Sequence, residues 1–484
     1  MRLLPDTSAI LVKTPPMNRR QFLLSSLTAT ALPAQPVRKP NIVWIMADDL
    51  GYGDLGCYGQ KHIQTPNIDR LAKQGTRFTN AYAGCTVCAP SRSVLMTGHH
   101  MGHTSIRSNA GAVPLLATDH TVAQTLKQAG YVCGCFGKWG LGEWKSDGVP
   151  EKHGFDRFVG FYNQVHAHNH FPGFLFENGE LSIITENRFS NKSKFVNEVF
   201  AQEATQFIGE HAKQPFFLYV PFTIPHLGLE APQDSLNSYL EKIKDPEPYI
   251  DPRNHYPAQP YPRATYAAMV STLDDYVGRI LDELKRLNLE KDTIVFFTSD
   301  NGSATALWKD GNFFNSTGGL RGHKQNLYEG GIRVPMIARW AGKITAGKTS
   351  DFPWMFADFH ATAAELGGTK PPLGIDGKSV LPTLLGQKQQ PAEFLYWELP
   401  RYDAKTGTFP DEAPMQAVRM GKWKAVRPTP GAALELYDLS KDPAESKNLA
   451  QAEKAVMAKI ENYLKTARSK PRPQKNSPNN YLPG

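Results

Sequence analysis

The sequence predicts an α/β protein: a large, mostly parallel central sheet flanked by helices, followed by a small C-terminal antiparallel sheet with one helix. Three observations carry this. Short, uniformly apolar runs at 41–46 and 293–298 lack the alternation of a half-exposed strand, as strands buried on both faces do. Helical periodicities lie between such runs, the order that builds a parallel sheet covered on both sides. Beyond a Pro- and Gly-rich stretch at 371–391, the pattern changes to short strands separated by turn residues. The 484 residues are 40% hydrophobic and 21% charged, which permits a large core and excludes global disorder, a collagen-like fibre and a disulfide-dense miniature scaffold.

Along the chain, residues 17–34 come first. Arg19 and Arg20 precede a short apolar stretch at 22–27, and Ala29-Thr30-Ala31 offers a small-residue cleavage pattern. That is the layout of a twin-arginine export signal starting at Met17. Residues 1–34 are therefore expected to be a signal region, and the mature protein periplasmic or secreted. Strands are expected at 41–46, 215–220, 293–298 and 334–340, and helices at 121–129, 194–211 and 264–287. In the last helix Ala268, Leu273, Val277, Ile280, Leu281, Leu284 and Leu287 share one face. These elements define a large domain over 40–385. Strands at 394–398, 416–420, 423–426 and 434–439, with a helix at 453–468, make an α+β subdomain over 391–468. Residues 469–484, basic and Pro-rich, read as an extended tail. The net charge of +8 is mild for this length, so no nucleic-acid partner is expected. No apolar run approaches the roughly 18–20 residues of a membrane span.

Ligands of open α/β sheets sit beyond the carboxyl ends of strands. Two acidic pairs fall there: Asp48-Asp49 after the first strand, and Asp300-Asn301 after the strand ending at Thr298. Adjacent carboxylates repel unless a cation lies between them. Oxygen donors from two strand ends suit a hard divalent ion, Ca²⁺ or Mg²⁺. A third element is the run Cys85-Thr-Val-Cys-Ala-Pro-Ser-Arg-Ser-Val-Leu-Met-Thr-Gly98. Pro90 fits the first turn of a helix. Cys88 would then lie just before a helix N-terminus, where an anionic group is favoured, with Arg92 one turn on. Cys85 and Cys88 also have the spacing of a redox or metal pair, although zinc would need a second pair, and Cys133-Gly-Cys135 is wrongly spaced for that.

Cys88-Ala-Pro-Ser-Arg92 matches the Cys-x-Pro-Ser-Arg signature of the type I, formylglycine-dependent sulfatases, members of the alkaline-phosphatase-like superfamily. The resemblance runs in order from about residue 40 to 450. Ala47-Asp-Asp-Leu-Gly-Tyr-Gly-Asp54 resembles that family's first metal motif, and Ser299-Asp-Asn-Gly302 its second. Gly137-Lys-Trp-Gly-Leu-Gly142 resembles its Gly-Lys-Trp-His-Leu-Gly motif. Lys324 with Tyr328-Glu-Gly-Gly-Ile-Arg-Val-Pro335 resembles its last active-site loop, and Leu436-Tyr-Asp-Leu-Ser-Lys-Asp-Pro443 its C-terminal subdomain.

The resemblance implies that 40–385 is catalytic and that Cys88 is converted to formylglycine by a formylglycine-generating enzyme. The hydrate of that aldehyde attacks sulfur. Asp48, Asp49, Asp300 and Asn301, with the modified Cys88, would hold one Ca²⁺. Arg92 would orient the nucleophile, Lys138 and Lys324 would neutralise sulfate oxygens, and His226 would assist the leaving alcohol. One position departs from the family: Gly140 stands where its motif has His, the residue assigned to releasing sulfate. His103, trailing the signature helix, is a candidate replacement.

The stretch Tyr162-Asn-Gln-Val-His-Ala-His-Asn-His170 resembles one in bacterial sulfatases acting on sulfated glycans, with His168 as a substrate-binding residue. The expected reaction is removal of sulfate from a sulfated, galactose-type carbohydrate. The alternatives are a broad arylsulfatase, a phosphonate or phosphate ester hydrolase of the same superfamily, and a glycan-binding protein whose Cys88 stays a thiol. Cys57, Cys85, Cys133 and Cys135 could be bridged in an oxidising compartment.

Overall fold

The first strand, Asn41–Ala47, is buried along its whole length at the middle of a ten-stranded sheet. The computed structural model describes residues 38–109, 113–304 and 312–473. The expected signal region 1–34 and the tail beyond residue 473 lie outside the described residues. On one side of Asn41–Ala47 runs Thr293–Ser299. On the other side follow Phe216–Pro221, Val132–Lys138 and Arg157–Phe161, and all five strands are parallel. Alternate residues of the first strand face opposite ways. Ile42, Trp44 and Met46 enter a core with Phe359 and Leu126, whereas Val43, Ile45 and Ala47 enter one with Phe200 and Leu273. This two-sided burial is the physical reason for its unbroken apolar sequence.

The remaining sheet strands obey the geometry of their connections. Met336–Trp340, expected from the sequence, pairs antiparallel with Thr293–Ser299. The chain leaves the carboxyl end of one strand and re-enters the next from that end, with no crossover helix among the described residues, so the direction reverses. Phe174–Glu177 and Glu180–Ile183 form a hairpin through Asn178 and Gly179. Both turn residues have positive φ (45° and 94°), as a tight Asn-Gly turn requires. Of the expected helices, Val196–Glu210 and Pro262–Arg286 cover one face and Val122–Gln128 the other.

Val132–Lys138 and Arg157–Phe161 had no clear sequence signal because glycines interrupt them. The reason for the glycines is steric. Gly137 and Gly160 are register partners, and a Cβ on Gly160 would lie 1.9 Å from the Gly137 carbonyl oxygen. A Cβ on Gly137 would lie 2.1 Å from the Pro221 carbonyl oxygen, at a φ of +137°. The close approach delivers Lys138 at the carboxyl end of its strand.

The C-terminal strands Leu395–Leu399, Met415–Met420, Trp423–Arg427 and Glu435–Asp438 form the expected antiparallel sheet. Tyr396, Val418, Ala425 and Leu436 pack with Met457 and Ile460 of the helix Lys454–Leu464. The opposite face, including Leu395, Trp397, Ala417 and Val426, belongs to the same core as Trp44. A buried ionic network strengthens that junction. Lys424, fully buried on the third strand, lies 2.9 Å from Glu329 and 2.9 Å from Glu445. Glu445 accepts the Glu329 N–H (2.6 Å), and Tyr82 donates to Glu329 (2.8 Å). The first residues of the expected tail are anchored: Ser469 N–H donates to Gly102 O (3.0 Å) and Arg472 to Pro114 O (2.7 Å). All five cysteines are free.

Two outcomes follow from these contacts. Gly160→Ala should destabilise the fold by about 1–3 kcal/mol, measured by urea unfolding, because backbone rather than a flexible side chain must yield. Lys424→Met should cost about 3–5 kcal/mol in the same assay, since it leaves two buried carboxylates without their shared cation.

Candidate active site

The parallel register pairs Ala47 with Ser299, so the two acidic pairs emerge side by side. Asp300 N–H donates to Ala47 O (3.1 Å), and Leu50 N–H to Ser299 Oγ (2.9 Å). Asp49 sits at φ 66°, turning the chain so that its N–H reaches Asp300 Oδ1 (3.2 Å). All four motif residues are 0–1% exposed.

Cys88 meets them from above. It is the first residue of the helix Cys88–Thr97, not the residue before it as expected, with Val87 in extended conformation as the cap. Its Sγ lies 3.4 Å from Asp48 Oδ1 and 4.0 Å from Asp49 Oδ1. Burial, with Asp300 and Asp48 adjacent, pushes the thiol far above its ordinary range. An unmodified thiol here stays protonated and is a poor nucleophile.

Three cations converge on the same carboxylates. Arg92, one turn along the helix, donates to Asp300 Oδ2 through Nη2 (2.7 Å) and Nε (3.0 Å), and also binds the Lys138 carbonyl. Lys138 Nζ contacts Asp48 Oδ2 at 2.5 Å. Lys324 Nζ contacts Asp49 Oδ2 at 2.7 Å and Cys88 Sγ at 3.5 Å. Burial alone would raise Asp48, yet the permanent cations Lys138, Arg92 and Lys324 hold it well below the carboxylate range. Asp49 rises to about 6: burial, with Asp48 and Asp300 nearby, outweighs Lys324.

His226 closes the cluster. Its Nδ1 lies 2.7 Å from the Leu227 carbonyl, which only accepts, so Nδ1 carries the proton. Nε2 is then the site-facing nitrogen, 3.5 Å from Asp49 Oδ2. Burial and the two lysines keep the ring neutral.

The donor set fits a hard cation. Asn301 Nδ2 donates to Asp49 Oδ1 (2.7 Å), while its Oδ1 is buried with no hydrogen-bond partner. An orphaned acceptor on an amide that also holds Asp49 would be satisfied by a divalent ion of oxygen preference. Asp48, Asp49, Cys88 and His226 each place a ligand atom within 4.8 Å of the others.

Of the histidines at 166–170, the structure brings one to the site. His168 stacks on His226 with ring centroids 4.7 Å apart and planes inclined by 12°. His170 stands behind, 3.1 Å from Thr223 Oγ1 and 3.4 Å from His226 O, and His166 is wedged against Phe161 and Phe174. Sequence reasoning missed His255 and Tyr256, which also pack here; their loop has no motif or periodicity to expose them. His103 does not reach the site. It lies beyond the left-handed Gly98 that ends the ten-residue signature helix, ~15 Å long, and is paired with Asp376 (2.9 Å). The volume at Gly140 is taken by Gln164: a Cβ there would lie 2.2 Å from Gln164 Nε2.

The chain is similar to known proteins in sequence and in fold. The Sulfatase family model matches residues 40–369, and the model for the C-terminal part of N-sulphoglucosamine sulphohydrolase matches 322–470. Rat N-acetylgalactosamine-6-sulfatase is 34% identical over 399 residues, covering 76% of this chain and 70% of the relative. Human arylsulfatase A is 32% identical over 484 residues, covering 90% and 87%. The crystal structure of Ps i-CgsB in complex with k-i-k-neocarrahexaose superposes with a TM-score of 0.76 at 28% identity, covering 91% and 96%. The protein belongs to the sulfatase family and is a sulfuric ester hydrolase.

Proposed function

We propose that this enzyme removes sulfate from a sulfated carbohydrate, a galactose-type sugar in the first instance. The observation that carries the reading is the convergence of Arg92, Lys138 and Lys324 on Cys88 and its neighbouring carboxylates. The carbohydrate assignment draws on similarity to N-acetylgalactosamine-6-sulfatases and to a structure holding neocarrahexaose.

Asp48, Asp49, Asp300 and Asn301 would hold Ca²⁺, a Lewis acid, beside a Cys88-derived formylglycine, whose hydrate supplies the nucleophile. Lys138 and Lys324 are the cations placed to meet sulfate oxygens as charge spreads over them. Arg92 keeps both Asp300 and the Lys138 main chain in place. His226 Nε2 is neutral while the two lysines face it. An incoming sulfate offsets their charge, so Nε2 can then hold a proton for the departing alcohol oxygen.

We read 40–385 as the catalytic domain and 391–468 as its supporting subdomain. We read Arg19-Arg20 as part of a twin-arginine signal to the periplasm or exterior. Such signals export folded protein, compatible with prior conversion of Cys88 by a formylglycine-generating enzyme in the cytoplasm.

Peptide mass spectrometry across residues 78–92 of protein from its natural host should show Cys88 converted; an unmodified thiol in active protein overturns the mechanism. Lys324→Ala should lower kcat/KM on a sulfated galactoside by about 10²–10³-fold. Faster turnover of a matched phosphonate ester than of the sulfate ester would overturn the substrate class.

A further inference from the structure

The loop 249–259 reaches the catalytic pocket from outside every motif. Tyr249 and Gln259 exchange a backbone hydrogen-bond pair (2.8 and 2.9 Å), and Gln259 Nε2 donates to Leu229 O (2.8 Å). Within the loop the buried Asp251 carboxylate accepts the N–H groups of Arg253, His255 and Tyr256 (3.2, 2.9 and 3.1 Å). One carboxylate with three main-chain donors fixes the loop before any ligand arrives, which lowers the ordering cost of binding.

The loop presents two side chains to the site. His255 Nε2 hydrogen-bonds His168 Nδ1 at 2.8 Å. The Tyr256 ring lies against His168 (5.5 Å between centroids) and His226 (6.1 Å). Among the described residues, neither the Tyr256 hydroxyl nor His255 Nδ1 has a hydrogen-bond partner. His255 is exposed and Tyr256 half-buried.

We propose that Tyr256 and His255 form the wall that reads the leaving group, with the apolar face of a pyranose on the Tyr256 ring and a sugar hydroxyl on His255 Nδ1. This rests on the sulfatase reading above and narrows its substrate from sulfate esters at large to sulfated pyranosides. An aromatic face beside open polar valences suits a sugar, which carries C–H and O–H groups on adjoining surfaces. A planar aryl group could use the ring but not the imidazole.

The test compares a 6-sulfated galactoside with 4-nitrophenyl sulfate. His255→Ala should lower kcat/KM on the galactoside about tenfold, chiefly through KM, and lower that on the aryl ester distinctly less. Tyr256→Ala should weaken both. Calorimetric titration of the galactoside into Cys88→Ser protein provides a readout independent of turnover. There His255→Ala should weaken binding by about tenfold while the melting temperature stays near wild type, since the side chain is exposed. Equal losses on the two substrates, or unchanged affinity, overturn the proposal. Wild-type turnover of the aryl ester but of no sulfated sugar also overturns it and leaves the sulfatase reading standing. Failure on every sulfate ester by converted protein overturns both.

Discussion

The charge balance among three buried carboxylates and three buried cations governs this molecule. Asp48, Asp49 and Asp300 would each be costly to bury alone, as would Arg92, Lys138 and Lys324. Together they compensate one another at the carboxyl end of two adjacent parallel strands. The balance is local and leaves no spare positive charge. A divalent ion added to it would create a net positive pocket, which a sulfate group can neutralise. Under the proposed function, ion and substrate would complement one centre, and Lys138 and Lys324, which help hold the free site together, would also receive the substrate.

Much of the surrounding architecture can be understood as holding that balance in register. The pairing of Ala47 with Ser299 sets the acidic pairs abreast. The glycine contact between Gly137 and Gly160 places Lys138 where a bulkier strand could not. The signature helix is buried on every side, so Cys88 and Arg92 share one rigid element. The loop carrying Lys324 continues into Glu329, which is fastened to the C-terminal sheet through Lys424 and Glu445. The supporting sheet thus acts on the site through packing and charge without contributing a side chain to it.

The sequence revealed those parts whose physics is local. A strand buried on both faces must be apolar throughout, so 41–46 and 293–298 were legible. A Cys-Ala-Pro-Ser-Arg run starting a helix was legible as well, as were acidic pairs after strands. What stayed hidden depends on contacts between distant segments. Gly137 owes its place to Pro221 and Gly160 owes its own to Gly137, contacts that no local pattern can anticipate. Met336–Trp340 read correctly as a strand, but its antiparallel direction depends on the end of the sheet at which the chain re-enters. His255 and Tyr256 acquire meaning only when Asp251 folds their loop over His168.

The departure at Gly140 shows the same dependence on distant contacts in reverse. A glycine in place of histidine looks like a loss when the motif is read alone. In the fold Gly140 has a left-handed φ of 75°, and the Gln164 amide, from the segment that also carries His168, fills the space a side chain there would need. Gln164 Nε2 donates to Gly140 O (3.2 Å), while Oε1 is buried without a partner. A hypothetical Cβ at 140 would also lie 3.6 Å from Arg92 Cδ, so the amide stands in the arginine's neighbourhood. An amide can orient a hydroxyl or a water, but it cannot take a proton at neutral pH. The substitution therefore separates two tasks that one imidazole would combine. Under the proposed mechanism, positioning would reside at Gln164, whereas a proton released at this point would pass to a group or solvent molecule elsewhere in the pocket.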